Sequence, residues 1–250
     1  MSRRRGVPGL ELVSYTRDGT GSVENAYFGT ARVYVKPNQP GNPFVVANEF
    51  ISSRLASMVG LPVPVGEVAK DAAGEVVWAS ALIGLKGQEP APPAADVVLR
   101  DEPDLAAGAF VFDVWIANDD RHDDNVIYLP SIGFWIYDHD KTLGGRLTGL
   151  PDALTPYRDV PLTTHMFKGE PLDDALVGAW VQRVRGAPAT AIKRILQIGA
   201  TLGLYSSSAQ AGIMEFLEYR RRQLPRLVSR SRGQEDADAA GGTESASGKE

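Results

Sequence analysis

Short apolar runs separated by turn residues occupy positions 10–36 and predict strands. Leu10–Tyr15 leads into Asp18-Gly19-Thr20-Gly21-Ser22, a turn-forming loop. Ala26-Tyr27-Phe28 and Ala31–Lys36 follow, the second run rich in β-branched and aromatic residues. The period then changes. Val46, Phe50, Leu55 and Val59 recur at helical spacing, with Met58 beside them, and predict a helix over Phe44–Val59. Gly60 is placed to stop it, and Pro62 and Pro64 prevent its continuation. Val63–Val68 and Glu75–Ile83 predict two further strands. This is a small sheet with one helix inserted after a central strand.

The second half follows a different pattern. Gln88–Ala95 is Pro- and Ala-rich and reads as a connector. Leu105, Phe110, Val114 and Ile116 predict a helix that ends near Asn118. Val126–Leu129 and Phe134–Tyr137 predict a hairpin around Pro130–Gly133. Residues 141–170 are loop-rich, and three further helices are predicted over 172–184, 189–202 and 209–228, with Pro225 kinking or shortening the last. Ser206–Ser208 reads as its N-cap. Trp115, Trp135 and Trp180 read as core aromatics. The expected organisation is a β-rich N-lobe over 1–87, a connector over 88–104, a helical C-lobe over 105–232 and an acidic, disordered tail over 233–250. The fold class is therefore α+β and bilobal, with the cleft between lobes as the natural ligand site.

Composition narrows the chemistry. The chain has 250 residues and no cysteine, which removes disulfides, thiolate nucleophiles and Cys-ligated metals. The net charge is −5, and most of it lies in the tail after Gly233. The nearly neutral body argues against a general nucleic-acid binder and gives no support to membrane docking. Arg3-Arg4-Arg5 is followed by Gly6-Val7-Pro8-Gly9 instead of an apolar signal core, and no apolar run approaches the ~20 residues of a membrane span. A cytoplasmic location is the expectation.

The densest polar cluster is Asn118-Asp119-Asp120-Arg121-His122-Asp123-Asp124-Asn125, between the apolar helix and the hairpin. Asp138 follows at the end of the second hairpin strand, in Tyr137-Asp138-His139-Asp140. Phosphoryl transfer from a nucleotide needs a carboxylate to orient the acceptor, hard oxygens to hold magnesium and a cation for the phosphates. In the protein-kinase loop H-R-D-x-x-x-x-N the Asp and Asn are five apart. Asp120 and Asn125 are also five apart, although the run here is Asp-Arg-His. Lys36 closes a strand, and Glu49 lies on the next helix, as a kinase Lys–Glu pair requires. Gly19-Thr20-Gly21-Ser22 precedes them but lacks the third Gly of a phosphate loop.

Asp120–Asn125 with Tyr137-Asp138-His139 resembles the D-R-H-x-x-N and Asp pair of HipA-like and phosphatidylinositol-kinase-like atypical kinases. Tyr34-Val35-Lys36-Pro37, Ala47-Asn48-Glu49-Phe50 and Leu55–Pro64, ending Gly60-Leu61-Pro62-Val63-Pro64, look like the small single-chain HipA-like domain. The resemblance covers about residues 10–228 and implies a protein-kinase-like fold using ATP and Mg2+. It implies that Asp120 orients or deprotonates the acceptor, with His122 and Arg121 shaping the catalytic loop. Asn125 and Asp138 would bind magnesium. Lys36, held by Glu49, would contact the phosphates, Thr20, Gly21 and Ser22 would cover them, and Ala81-Leu82-Ile83 would form the hinge against adenine. The implied activity is transfer of the γ-phosphoryl group to a hydroxyl, on a protein Ser or Thr. The extra N-terminal subdomain of full-length HipA toxins has no counterpart here, so an antitoxin-like partner and a glutamyl-tRNA synthetase acceptor are implied only by extension.

Two alternatives stay open: a nucleotide-binding pseudokinase acting as a regulatory module, and a small-molecule or lipid kinase. His122-Asp123 also has the form of an HD-type phosphohydrolase motif, but that chemistry needs an upstream His, and the histidines are His122, His139 and His165. His139 and His165 read as structural, and Asp140 as a turn cap.

Overall fold

The computed structural model describes residues 12–17, 27–83, 90–144 and 154–234. Strands β1 (Leu12–Arg17) and β2 (Tyr27–Ala31) form an antiparallel hairpin with an irregularity between Leu12 and Ser14. Strand β3 (Val33–Pro37) pairs instead with β5 (Val76–Ala81), which also pairs with β4 (Gly66–Lys70). The three-stranded sheet has the order β3-β5-β4 and is antiparallel throughout. β3, expected to be central, is an edge of this sheet, because β1 and β2 pair with each other. β4 begins at Gly66 and not at Val63, since Pro62 and Pro64 lack the N–H that a ladder needs.

Helix α1 (Val45–Val59) packs against the sheet, and Val46, Phe50, Leu55 and Val59 are buried as their spacing predicts. Its end is fixed by Gly60 in the left-handed conformation, φ 89°. Gly60 N–H donates to Ser57 O (3.1 Å) and Leu61 N–H to Ala56 O (2.9 Å), the double bond of a Schellman ending. The residues behind the apolar stripe are buried too, Asn48, Glu49 and Ser52 among them. Polar groups in such a place need partners, and the second lobe supplies them.

That lobe starts with α2 (Ala95–Asp101), within the stretch expected to be a connector. The prolines at 90, 92 and 93 dominate the composition there, but Val98 is fully buried and anchors two helical turns. α3 (Pro103–Ile116) is the central helix, enclosed on every side from Ala106 to Ile116. The hairpin of β6 (Val126–Leu129) and β7 (Gly133–Ile136) follows. Helices α4 (Asp174–Arg185), α5 (Ala189–Thr201), α6 (Ser207–Arg222) and α7 (Leu224–Ser231) complete the lobe. Pro225 stands in the first turn of α7, so the expected single helix is divided at Gln223. Ser206 caps α6 by accepting from Ala209 N–H (3.1 Å). Trp115 and Trp180 are core, whereas Trp135 is partly buried against a smaller cluster with Ile83, Ile127 and Ile132. Among the described residues no helix is long and apolar enough to cross a membrane.

Arg220 on α6 is fully buried and finds its partners in backbone carbonyls. Its guanidinium donates to Val114 O and Trp115 O at the end of α3, and to Tyr157 O (2.8 Å), Arg158 O (3.0 Å) and Val160 O (3.0 Å). Burial pulls its pKa down to about 10, so it stays charged at neutral pH. The negative end of α3 and an irregular segment thus share one cation.

α3 and α4 approach closely at Gly108, where an added Cβ would lie 2.5 Å from the Trp180 ring. Helix propensity alone would make Gly108→Ala stabilising by about 1 kcal/mol. Overpacking against an indole that is itself bonded to Asp104 Oδ1 (2.9 Å) costs more, typically about 1–3 kcal/mol. The variant should therefore lower the urea midpoint; a raised midpoint would show that the helices separate freely.

Candidate active site

The polar run after α3 is built around a carboxylate inside the apolar helix. Asp113 and Arg121 are fully buried, and Arg121 Nε donates to Asp113 Oδ2 at 2.8 Å. Arg121 Nη2 reaches Asp113 Oδ1 (3.2 Å), and Asn118 Nδ2 donates to the same oxygen (2.9 Å). Arg121 Nη1 donates to Asn125 O (2.9 Å) and to Tyr137 O. His165 Nδ1 accepts from Phe167 N–H (3.0 Å), which leaves Nε2–H to donate to Asp113 Oδ2 (3.2 Å). Burial raises the Asp113 pKa, but the Arg121 charge and the His165 bond outweigh it and hold the carboxyl well below the usual range. Burial lowers the His165 pKa and keeps the ring neutral. Arg121 thus joins α3 to the Asn125 and Tyr137 carbonyls. Asp113 was missed; the signal available was a single acid in an otherwise apolar helix, which demands a buried partner.

Within this frame Asn125 Nδ2 donates to Asp120 O (2.7 Å) and lies 3.1 Å from His122 Nε2. The amide nitrogen is thereby committed, and Oδ1 is the atom of Asn125 suited to a cation. His122 is half exposed, with Nε2 4.0 Å from Asp120 Oδ2. Asp120 Oδ2 meets Lys141 Nζ at 2.9 Å. The neighbouring Asp119 is used structurally: it accepts from Thr163 N–H (2.6 Å) and Thr164 N–H (2.7 Å).

The N-lobe contributes the second half. Lys36 Nζ lies 2.5 Å from Glu49 Oε1 and 2.6 Å from Asp138 Oδ1. Burial pulls the Lys36 pKa down, but the two carboxylates overcome it and raise it above the ordinary value. Glu49 is buried, which raises its pKa; the His139 and Lys36 contacts win, and it is held low. Its Oε1 also accepts from His139 N–H (3.0 Å). His139 is buried edge-on to Phe112 and is kept neutral chiefly by desolvation. Asp138 has φ 59°, a left-handed turn that Asp tolerates and that takes the chain abruptly out of β7. Asp140, read from the sequence as a turn cap, is held by asparagines of the other lobe. Its carbonyl accepts from Asn48 Nδ2 (2.8 Å) and Asn42 Nδ2 (3.3 Å), while burial and the Asp138 carboxylate raise its pKa to about 6.

The two halves face one cavity of about 400 Å³. Ser80–Ile83, including Leu82, form one wall; Asp120, Asn125, Asp138, Asp140 and Lys141 form the other. Lys36 sits behind this wall beside Asp138, in a narrow adjoining space. Thr20, Gly21 and Ser22 lie outside the described residues. A second, open cavity of about 570 Å³ lies on the other side of Asp120, between the start of α2 and Thr164–Met166. Asn125 Oδ1 and the Asp138 and Asp140 carboxylates are hard oxygens of the kind magnesium takes.

A small sheet with one helix, joined to a helical lobe across this cleft, is the bilobal kinase-like fold. The proinflammatory kinase CtkA of Helicobacter pylori has a similar structure, with a TM-score of 0.61 over 89% of this chain and 97% of that one, at 11% identity. HipA in the Shewanella oneidensis MR-1 HipA–HipB–operator DNA complex aligns over 94% of this chain and 68% of its own, with a TM-score of 0.49 at 14% identity. No protein-family model matches the chain, and no curated protein does. The likeness is one of fold, and it agrees with the kinase-like architecture expected from the motifs.

The burial of His165 sets a pH dependence. Between the lowered pKa of folded His165 and its ordinary value near 6.5, the unfolded chain binds a proton that the folded chain does not. Stability should therefore fall as pH is lowered through and below 6.5. Urea midpoints measured from pH 7.5 to 5.5 should decline, and less steeply in His165→Gln; equal slopes would remove His165 from the account.

Proposed function

We propose that this chain is a HipA-like atypical kinase that transfers the γ-phosphoryl group of ATP to a hydroxyl, on a protein Ser or Thr. The observation that carries this reading is Lys36 bound at once to Glu49 and Asp138, with Asp138 lining the same cavity as Asp120 and Asn125. In the transfer the acceptor oxygen bonds to the γ-phosphorus while the bond to the β,γ-bridging oxygen breaks. The hydroxyl proton passes to the Asp120 carboxylate, and ADP leaves. Asn125, Asp138 and Asp140 would hold magnesium, which neutralises phosphate charge. Leu82 and its neighbours would receive the adenine. Lys36 keeps Asp138 fixed from behind and reaches the phosphates along the narrow space beside it. The open cavity beyond Asp120 gives the acceptor an approach separate from the nucleotide's. Catalysis in such a site is positioning and electrostatics, with no covalent intermediate. ATP supply fits a cytoplasmic setting.

With labelled γ-phosphate, Mg-ATP and a cell extract, wild-type protein should label itself or an acceptor protein. Asp120→Ala should lower transfer about 10²–10⁴-fold, the usual worth of a general base, with nucleotide affinity within about threefold. Full activity in that variant would refute the assigned base. Nucleotide binding without any transfer would favour the pseudokinase reading. Asp138→Asn should weaken binding of Mg-ATP about tenfold or more while leaving metal-free binding little changed, measurable by calorimetry with and without a chelator.

A further inference from the structure

The cavity facing Asp120 is unbalanced in charge. Its described lining carries four carboxylates, of Asp120, Asp124, Asp138 and Asp140, against one ammonium, that of Lys141. Lys36 is not part of that lining, and its charge is shared between Glu49 and Asp138. The run Asn118–Asn125 has no lysine, so the catalytic loop supplies no ammonium of its own. Lys141 enters from a different segment, three residues beyond Asp138, and places Nζ 2.9 Å from Asp120 Oδ2. An ammonium has three donors, so one bond to Asp120 leaves two for a second anion.

We infer that Lys141 is a catalytic cation that bridges the Asp120 carboxylate and the γ-phosphate of the bound nucleotide. This rests on the kinase reading above. The chemistry assigns the role by position. Asp120 must lie beside the acceptor oxygen to take its proton, and that oxygen must lie within about 3–3.5 Å of the phosphorus it attacks. A cation bonded to Asp120 is therefore beside the phosphoryl oxygens on which charge is held during transfer. It shields the γ-phosphate from the Asp120 carboxylate, two anions that would otherwise repel each other. As an exposed surface pair the Lys141–Asp120 contact would add little stability, and its side chain is 58% exposed, so packing does not explain its place.

The role separates ATP from ADP, because ADP has no γ-phosphate. In the presence of magnesium, wild-type protein should bind a non-hydrolysable ATP analogue more tightly than ADP. Lys141→Ala should weaken the analogue about tenfold, leave ADP within about twofold and so remove the preference; calorimetry reads both. Where transfer is observed, its rate should fall about 10²–10³-fold, the usual loss of one donor to developing charge, and Lys141→Arg should restore a good part of both effects. The half-exposed side chain makes misfolding of these variants easy to exclude by their melting temperatures. A preference retained in Lys141→Ala, or absent from wild type, overturns the inference even if transfer declines, since Lys141 would then act on Asp120 alone. Failure of wild type to bind either nucleotide overturns the kinase reading and this inference together. Binding without transfer overturns catalysis but leaves the preference test decisive for the γ-phosphate contact.

Discussion

The buried Asp113–Arg121 pair is the constraint on which the site depends. Two opposite charges with no solvent access are costly unless every hydrogen-bonding group is met. Here Arg121, Asn118 and His165 surround the carboxylate, and the guanidinium turns its remaining donors to Asn125 O and Tyr137 O. One pair thus ties α3 to both ends of the polar run, to the close of β7 and to the segment after Thr164. The loop holding Asp120 has little regular structure of its own. Its shape is imposed by a neighbour that cannot be solvated any other way.

A second cluster joins the lobes by the same means. Glu49 is buried on α1 and takes Lys36 from β3 and the His139 backbone from the other lobe. Asn48 and Ser52, on the same helix, bond the Asp140 carbonyl (2.8 Å) and the Thr142 hydroxyl (2.9 Å). α1 therefore presents a polar edge to the segment that carries Asp138. Rotation of α1 would strand several buried polar groups at once, so the distance between Lys36 and Asp138 is set by the helix and not by either side chain.

Much of this was legible in the residues. The 3.6-residue period of Val46, Phe50, Leu55 and Val59 located α1, and Gly60 marked its end. The order of Lys36, Glu49, Asp120, Asn125 and Asp138 pointed to a two-lobed cleft, because each sits at a fixed offset within its own element. What escaped was tertiary pairing. Nothing in local spacing says that Asp113 meets His165, or that Lys141 returns to Asp120 through a turn. The strand order was hidden for a related reason: β3 reads as a central strand by composition, yet its partners are decided by which neighbours reach it. α2 was masked by prolines that end just before it begins. In each case the deciding contact lies far along the chain.

Arg220 carries a consequence for the order in which the molecule is made. The carbonyls it gathers belong to Val114, Trp115 and the stretch from Tyr157 to Val160, all synthesised well before it. Until α6 has left the ribosome, the last turn of α3 has no cation to close it, and the Asp120 loop begins at that turn. The last turn of α3 is therefore completed by a side chain that lies 105 and 106 positions further along the chain than the carbonyls it binds there.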